Sequence, residues 1–447
     1  MRSNMKLSRI CLLIVSVALL AATVLAQSRE PEPALADERI APPATMAGRG
    51  EPLVFLSELG RESTLSAGVG FSGVYTDNTF LVATPRENDM SYEFNPHLSW
   101  QQFTSRMNLD LSLAAGFVAN QRFTQRNQSS QNFAVDFTYR LRPYVNLRLS
   151  NAFVNTMGLF SGPAIATIPS SIGVVQQPTS TVLTPAAHII TNSTLAELNY
   201  QFSARSIIGA RAVYALLRYP DAAPSVGNVP LFEGQSYSAE VFYNTQLSMR
   251  HWLGVTLRAQ RFDAHSSLVT TNAQSILLLY SFKPLQNVSL SLFAGPQLTT
   301  LHVDHTLVTT IPAFEPRRWS PAAGATLGWQ GHHTSATVSY TRQVNDGGGL
   351  ASAVVGDAVQ AGVRRQLGTR QQISASFTYG SNETLIPGIN LRSYSSRVDF
   401  SRRLTRSVVG GVGYGFDQQK AASTQAAAQA NRIWFSLGYD FTRPLGK

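Results

Sequence analysis

From Thr64 to the C-terminus, apolar and polar residues alternate one by one, in segments of about ten to twelve residues. The first sets Leu65, Ala67, Val69 and Phe71 against Ser66, Gly68, Gly70 and Ser72. Later ones set Leu109, Leu111 and Leu113 against Asn108, Asp110 and Ser112, or Phe133, Val135, Phe137 and Tyr139 against Ala134, Asp136, Thr138 and Arg140. A period of two is that of a β-strand, because successive side chains point to opposite faces. About eighteen such segments are present, sixteen being the lower count. The chain is therefore expected to be all-β.

The connections are as informative as the strands. Short turns fall at Phe103–Arg106, Arg142-Pro143, Ser203–Arg205, Ser248–Arg250, Lys283–Gln286, Gly331–His333, Gly368–Arg370 and Thr405-Arg406. Between successive short turns lies one longer loop rich in Gly, Pro, Asn and Ser, such as Asp77–Asp89, Pro220–Gly234 or Thr299–Trp319. Short turns on one rim and long loops on the other describe a single antiparallel up-and-down barrel of the membrane-spanning kind. A bilayer leaves no water for backbone N–H and C=O groups, so a sheet crosses it only by closing on itself. An even strand number returns both ends of the chain to the short-turn rim.

Composition agrees. Charged residues make up 14% of the 447, hydrophobic ones 44%, and mean hydropathy is −0.04. Only one run is apolar enough for a spanning helix, which excludes a helical bundle. The 23 Phe, 15 Tyr and 5 Trp exclude long disorder. That one run, Ile10–Ala22, follows Arg2, Lys6 and Arg9 and precedes Val24-Leu25-Ala26, the layout of a secretory signal peptide over 1–26. Cys11 lies inside it, so the exported chain is expected to hold no cysteine. Residues 27–62, with Pro31, Pro33, Pro42, Pro43 and Pro52, read as a Pro-rich periplasmic linker able to dock a periplasmic partner. The barrel is expected over 63–447.

In a bilayer the apolar positions face lipid and the polar ones the lumen. The expected lumen-lining charges are Glu93, Asp110, Asp136, Arg140, Arg148, Glu197, Arg211, Glu240, Arg258, Arg364, Arg397 and Asp399, with Arg403, Arg432 and Asp440 facing the same way. Acids and bases are nearly balanced. They set a transverse field across a water-filled pore, or pair to cross-link neighbouring strands in a filled barrel, and the two readings are not exclusive. Aromatic residues near strand ends (Tyr75, Trp100, Tyr139, Phe202, Tyr219, Tyr280, Phe282, Trp329, Tyr379 and Phe441) are expected in interfacial girdles. Basic residues at the turns, among them Arg106, Arg142 and Arg205, suit anionic headgroups.

The C-terminal stretch Trp434–Phe441 resembles the closing β-signal of Gram-negative outer-membrane proteins. That resemblance implies that Gly438, Tyr439 and Phe441 are read by the barrel-assembly machinery. The tail Thr442–Lys447 departs from the pattern. Over 63–447 the chain is similar to bacterial β-barrel porins, including the type sometimes linked to exopolysaccharide loci. The resemblance implies a cell outer-membrane location with both termini periplasmic, surrounded by membrane lipid and lipopolysaccharide. The expected function is a porin-like channel for passive passage of small polar solutes. The alternatives are a polysaccharide-secretion barrel and a non-conducting structural or adhesive barrel.

The longest loop, Thr156–Ile190, has no Asp, Glu, Lys or Arg. It either folds inward to narrow the pore or packs outward. His302, Asp304 and His305 share a loop without a fixed scaffold and do not define a metal site. Gly347-Gly348-Gly349 lacks the strand–helix context of a phosphate loop. No catalytic constellation, metal, cofactor or nucleic-acid partner is expected.

Overall fold

A computed structural model describes residues 62–157, 183, 188–220, 225–226, 229–264, 269–303, 316–350, 352–385, 390–421 and 427–445. The expected signal peptide, the linker up to residue 61 and most of loop 156–190 lie outside the described residues. The first strands are β1 (Glu62–Thr76), β2 (Asp89–Phe103), β3 (Met107–Asn120), β4 (Gln128–Arg142), β5 (Val145–Met157), β6 (His188–Ser203) and β7 (Ser206–Arg218). A two-residue hairpin, β8 (Ser225–Val226) and β9 (Val229–Pro230), sits in the next loop. Then come β10 (Gly234–Ser248), β11 (His251–Ala264), β12 (Val269–Leu285), β13 (Val288–Val303), β14 (Arg317–Gln330) and β15 (Thr334–Asn345). The ring is completed by β16 (Val354–Gln366), β17 (Gln371–Thr384), β18 (Asn390–Arg403), β19 (Val408–Ala421) and β20 (Ala428–Pro444).

Apart from the β8–β9 hairpin, the strands form one 18-stranded antiparallel sheet, each pairing with its neighbours in the chain. β1 pairs with β20 from Thr64↔Pro444 to Thr76↔Arg432, so the sheet closes and no edge remains. All eight expected short turns connect strands at one rim. Hydroxyl side chains build several of them. Thr104 Oγ1 accepts from Met107 N at 2.9 Å, and Thr405 Oγ1 from Val408 N at 3.1 Å. The loop expected over Thr299–Trp319 is shorter, because β13 runs to Val303 and β14 begins at Arg317.

Period two divides the wall into two faces. On the outer face Phe71, Leu149, Leu257 and Ile276 are 42%, 42%, 52% and 56% exposed. On the inner face Ser150, Glu240 and Thr256 are 3%, 5% and 1% exposed. A water-soluble protein would reverse that order; a barrel in lipid requires it. Outer aromatic side chains pair between neighbouring strands, Phe71 with Tyr92 (ring centroids 6.4 Å apart) and Tyr379 with Tyr394 (4.9 Å), and across β7, Phe202 of β6 with Tyr243 of β10 (6.0 Å). Tyr219 departs from the expected girdle. It is 5% exposed, inside an apolar cluster formed by the loops, because the chain turns inward after β7. Tyr439 and Phe441 face outward, 48% and 52% exposed, while Gly438 faces inward opposite Gly70. The tail through Pro444 continues β20 rather than leaving it.

Candidate functional site

Pairing register carries the face assignment round the ring. Starting from Ser72↔Glu93 and passing each cross-strand pair in turn, all twelve expected lumen residues fall on the inner face. Register also brings five of them together. Arg148, Glu197, Arg211, Glu240 and Arg258 stand directly opposite one another on β5, β6, β7, β10 and β11. Neighbouring strands are about 4.8 Å apart, so opposite charges in register meet at bonding distance.

The contacts follow. Arg211 reaches Glu197 at 2.6 Å and Glu240 at 3.6 Å, and Arg258 Nε meets Glu240 at 2.6 Å. Arg258 Nη1 donates to Gln343 Oε1 on β15 at 3.3 Å. The Arg211 guanidinium lies 5.9 Å from the centroid of Phe242, whose ring covers Gly209. Asp110 and Asp136 are also directly opposite, the one like-charge break near this row. Asp136 is neutralised diagonally by Arg148, whose Nε donates to it at 3.0 Å. The row is thus self-neutralising, and the cross-linking arrangement of charge is the one that forms here.

A second group lies near the closing seam. Asp399 accepts from Trp434 Nε1 at 3.1 Å, with Arg397 two residues away. The Trp434 ring occupies the space a side chain at Gly413 would need, 2.4 Å from where a Cβ would stand. Arg432 pairs with Asp417, an acid that sequence analysis did not single out. His97 and Asp440 meet at 2.7 Å across β1, through the gap left by Gly68, where a Cβ would lie 2.5 Å from both. Glu93 accepts from Ser72 at 3.4 Å. Arg140, Arg364 and Arg403 face the lumen toward the short-turn rim. The inner face of β12 and β13 is hydroxylic and apolar, with Thr271, Ser275, Gln297 and Thr299 beside Leu277 and Phe293.

At the long-loop rim the lumen is narrowed. Leu350 and Val354 are 1% and 0% exposed, packed with Ile189 of β6, Leu391 of β18, Ala421 of β19 and the loop residues Tyr219 and Leu231. β6 and β18 lie on nearly opposite walls. β15 stops pairing with β14 after Arg342 yet stays paired with β16 to Asn345, so the tip of this hairpin leans inward. Val344 N then donates to the lumen residue Gln297 at 3.1 Å. Gly347, Gly348 and Gly349 have φ of 69°, 59° and 97°, which only glycine adopts easily three times in succession. Phe232 N donates to Gly349 O at 2.6 Å. Asp346, within this loop, is held above the usual carboxylate range by desolvation, opposed by the bond from Gly348 N. Burial likewise raises the Tyr219 hydroxyl.

Loop 156–190 contributes too. Leu183, its described residue between β5 and β6, donates its N–H to Gln419 Oε1 at 2.7 Å and accepts from Gln419 Nε2 at 2.8 Å. Gln419 is on the lumen face of β19, so Leu183 itself lies against the lumen wall. The inward contribution of Tyr219, Leu231 and Leu350 was not anticipated; the available signal was an apolar Leu350 directly after three glycines. His302 lies on β13 with its side chain exposed, while Asp304 and His305 are outside the described residues. Among the described residues no three His, Cys, Asp or Glu side chains are placed to hold a metal ion.

No protein-family model and no curated relative matches the sequence. Solved structures align with it at low sequence identity. The outer membrane protein OpdK of Pseudomonas aeruginosa is 8% identical, with TM-score 0.42, covering 85% of this chain and 99% of that one. Acinetobacter baumannii OccAB4 is 8% identical, with TM-score 0.44, covering 86% and 98%. P. aeruginosa OccK2 (OpdF), solved in complex with glucuronate, is 10% identical, with TM-score 0.45, covering 85% and 98%.

Proposed function

We propose that this protein is a channel of the Gram-negative outer membrane through which small polar solutes pass passively. The observation that carries the reading is a closed barrel whose lipid-facing wall is apolar while its enclosed wall bears a register-matched row of charges. Such an interior is stable only if it is wetted, because charged groups facing an empty apolar space would cost far more than their pairing returns. Both ends of the sheet sit at the short-turn rim, which fits termini in the periplasm. The Leu183–Gln419 contact and the cluster around Leu350 suit small solutes and oppose a polysaccharide strand. Gly438, Tyr439 and Phe441, on the closing strand, fit the assembly-signal role.

The full-length protein, reconstituted in liposomes, is expected to give swelling with arabinose and glycine and none with a dextran. Absence of swelling with every small solute would refute the channel.

A further inference from the structure

We infer that the outer wall carries a lipid site, on which a phosphorylated, acylated glycolipid of the outer leaflet docks. A groove of about 630 Å³ opens on the lipid-facing side across β6, β7, β10, β11, β12 and β13, toward the long-loop rim. Its floor is Ala196, Ala212, Ala239 and Ala259, which stand directly opposite one another. One row toward the short turns, Leu198, Val241 and Leu257 are 45%, 50% and 52% exposed, the ordinary lipid-facing surface. The groove therefore lies where the apolar band ends and headgroups begin.

Its upper edge is polar. Arg261, Asn272 and Thr300 stand in register across β11, β12 and β13, and Arg317 continues the row on β14. The side chain of Arg261 is 58% exposed and binds Asp263 through Nε alone, at 3.0 Å. Among the described residues its two terminal nitrogens meet no acceptor. Exposed His302 lines the same groove. The guanidinium fork fits a phosphate. Amide and hydroxyl groups beside it fit sugar hydroxyls, and an alanine-floored trough below fits an acyl chain. Along this edge Arg261 and Arg317 outnumber Asp263, and that net positive charge selects an anionic glycolipid over a neutral lipid. The placement in the outer leaflet rests on the outer-membrane reading; the solute carried plays no part in it.

The test uses the full-length protein in nanodiscs of phosphatidylethanolamine with diphosphorylated hexa-acyl lipid A, scored by native mass spectrometry as lipid retained per barrel. Lipid A should be retained, with phosphatidylglycerol and dephosphorylated lipid A held about tenfold less. Arg261→Gln should lower retention by about tenfold. Ala239→Phe, which fills the trough and leaves Arg261 intact, should lower it comparably. Met249→Gln, at a short turn of the other rim and 90% exposed, should leave it unchanged. Retention equal to the unmodified protein in both groove variants would overturn the site, as would phosphatidylglycerol held as tightly as lipid A. An oligomer broken up by Ala239→Phe would assign the groove to a second copy instead. Folding is checked by heat-modifiable gel mobility; if Ala239→Phe does not fold, the surface variant Arg261→Gln decides alone. A barrel that binds lipid A but gives no swelling would refute the channel and leave this site standing.

Discussion

Glu240 shows how much one lumen residue can hold. Two arginines from different strands, Arg211 and Arg258, close on its carboxylate, and its side chain is only 5% exposed. Glu240→Gln leaves Arg258 without its carboxylate partner and Arg211 with Glu197 alone. It should cost about 2–3 kcal/mol, measured by urea unfolding in lipid vesicles. It should also shift the pore toward anions, seen as a change in reversal potential under a salt gradient. An unchanged stability would mean that water already screens the row. Which residues face the lumen was legible in the sequence, since a period of two fixes the face of Glu197, Arg211 and Glu240 alike. Which of them touch was not, because pairing depends on register, and register depends on loop and turn geometry that alternation alone does not contain.

The element that narrows the lumen at the long-loop rim is the β15–β16 hairpin tip. At Gly349 a side chain would need φ of 97° and would place its Cβ 2.6 Å from the Tyr219 hydroxyl. Gly349→Val should therefore undock the loop, at a backbone cost of about 1–2 kcal/mol, and raise single-channel conductance. A disulfide between Leu350→Cys and Leu391→Cys should pin the loop to the wall and keep conductance low until reduced. These cysteines would react alone if the leader bearing Cys11 is removed.

Asp346 adds a pH dependence. Its folded value is raised by desolvation, so the docked loop holds its proton more tightly than an open one does. That contribution is present at low pH and is lost as pH rises through the folded value. Conductance should accordingly increase with pH above the ordinary carboxylate range, and Asp346→Asn should flatten the dependence. The docking itself could not be read from the sequence. Tyr219 sits near the end of a strand, as a girdle residue does, and nothing local distinguishes a loop that enters the lumen from one that leaves it. The glycine triplet marked a special backbone without saying where it points.

At the scale of the whole molecule, the alternation of short and long connections was enough to predict closure and one rim for both ends of the sheet, while the period-two segments gave a strand number of about eighteen, with sixteen as the lower count. Closure is what makes the lumen a single compartment, and the charge rows determine its electrical character. Sequence composition suggests a strongly basic protein, net +10. The lumen does not inherit that excess. Arg148, Arg211, Arg258 and Arg432 each meet a carboxylate within the wall. A water-filled channel whose lumen charges largely cancel should show, in planar-bilayer recording of the full-length protein under a potassium chloride gradient, stepwise conductance with a reversal potential close to zero. Absence of conductance steps, or a reversal potential near the ideal value for chloride, would contradict it.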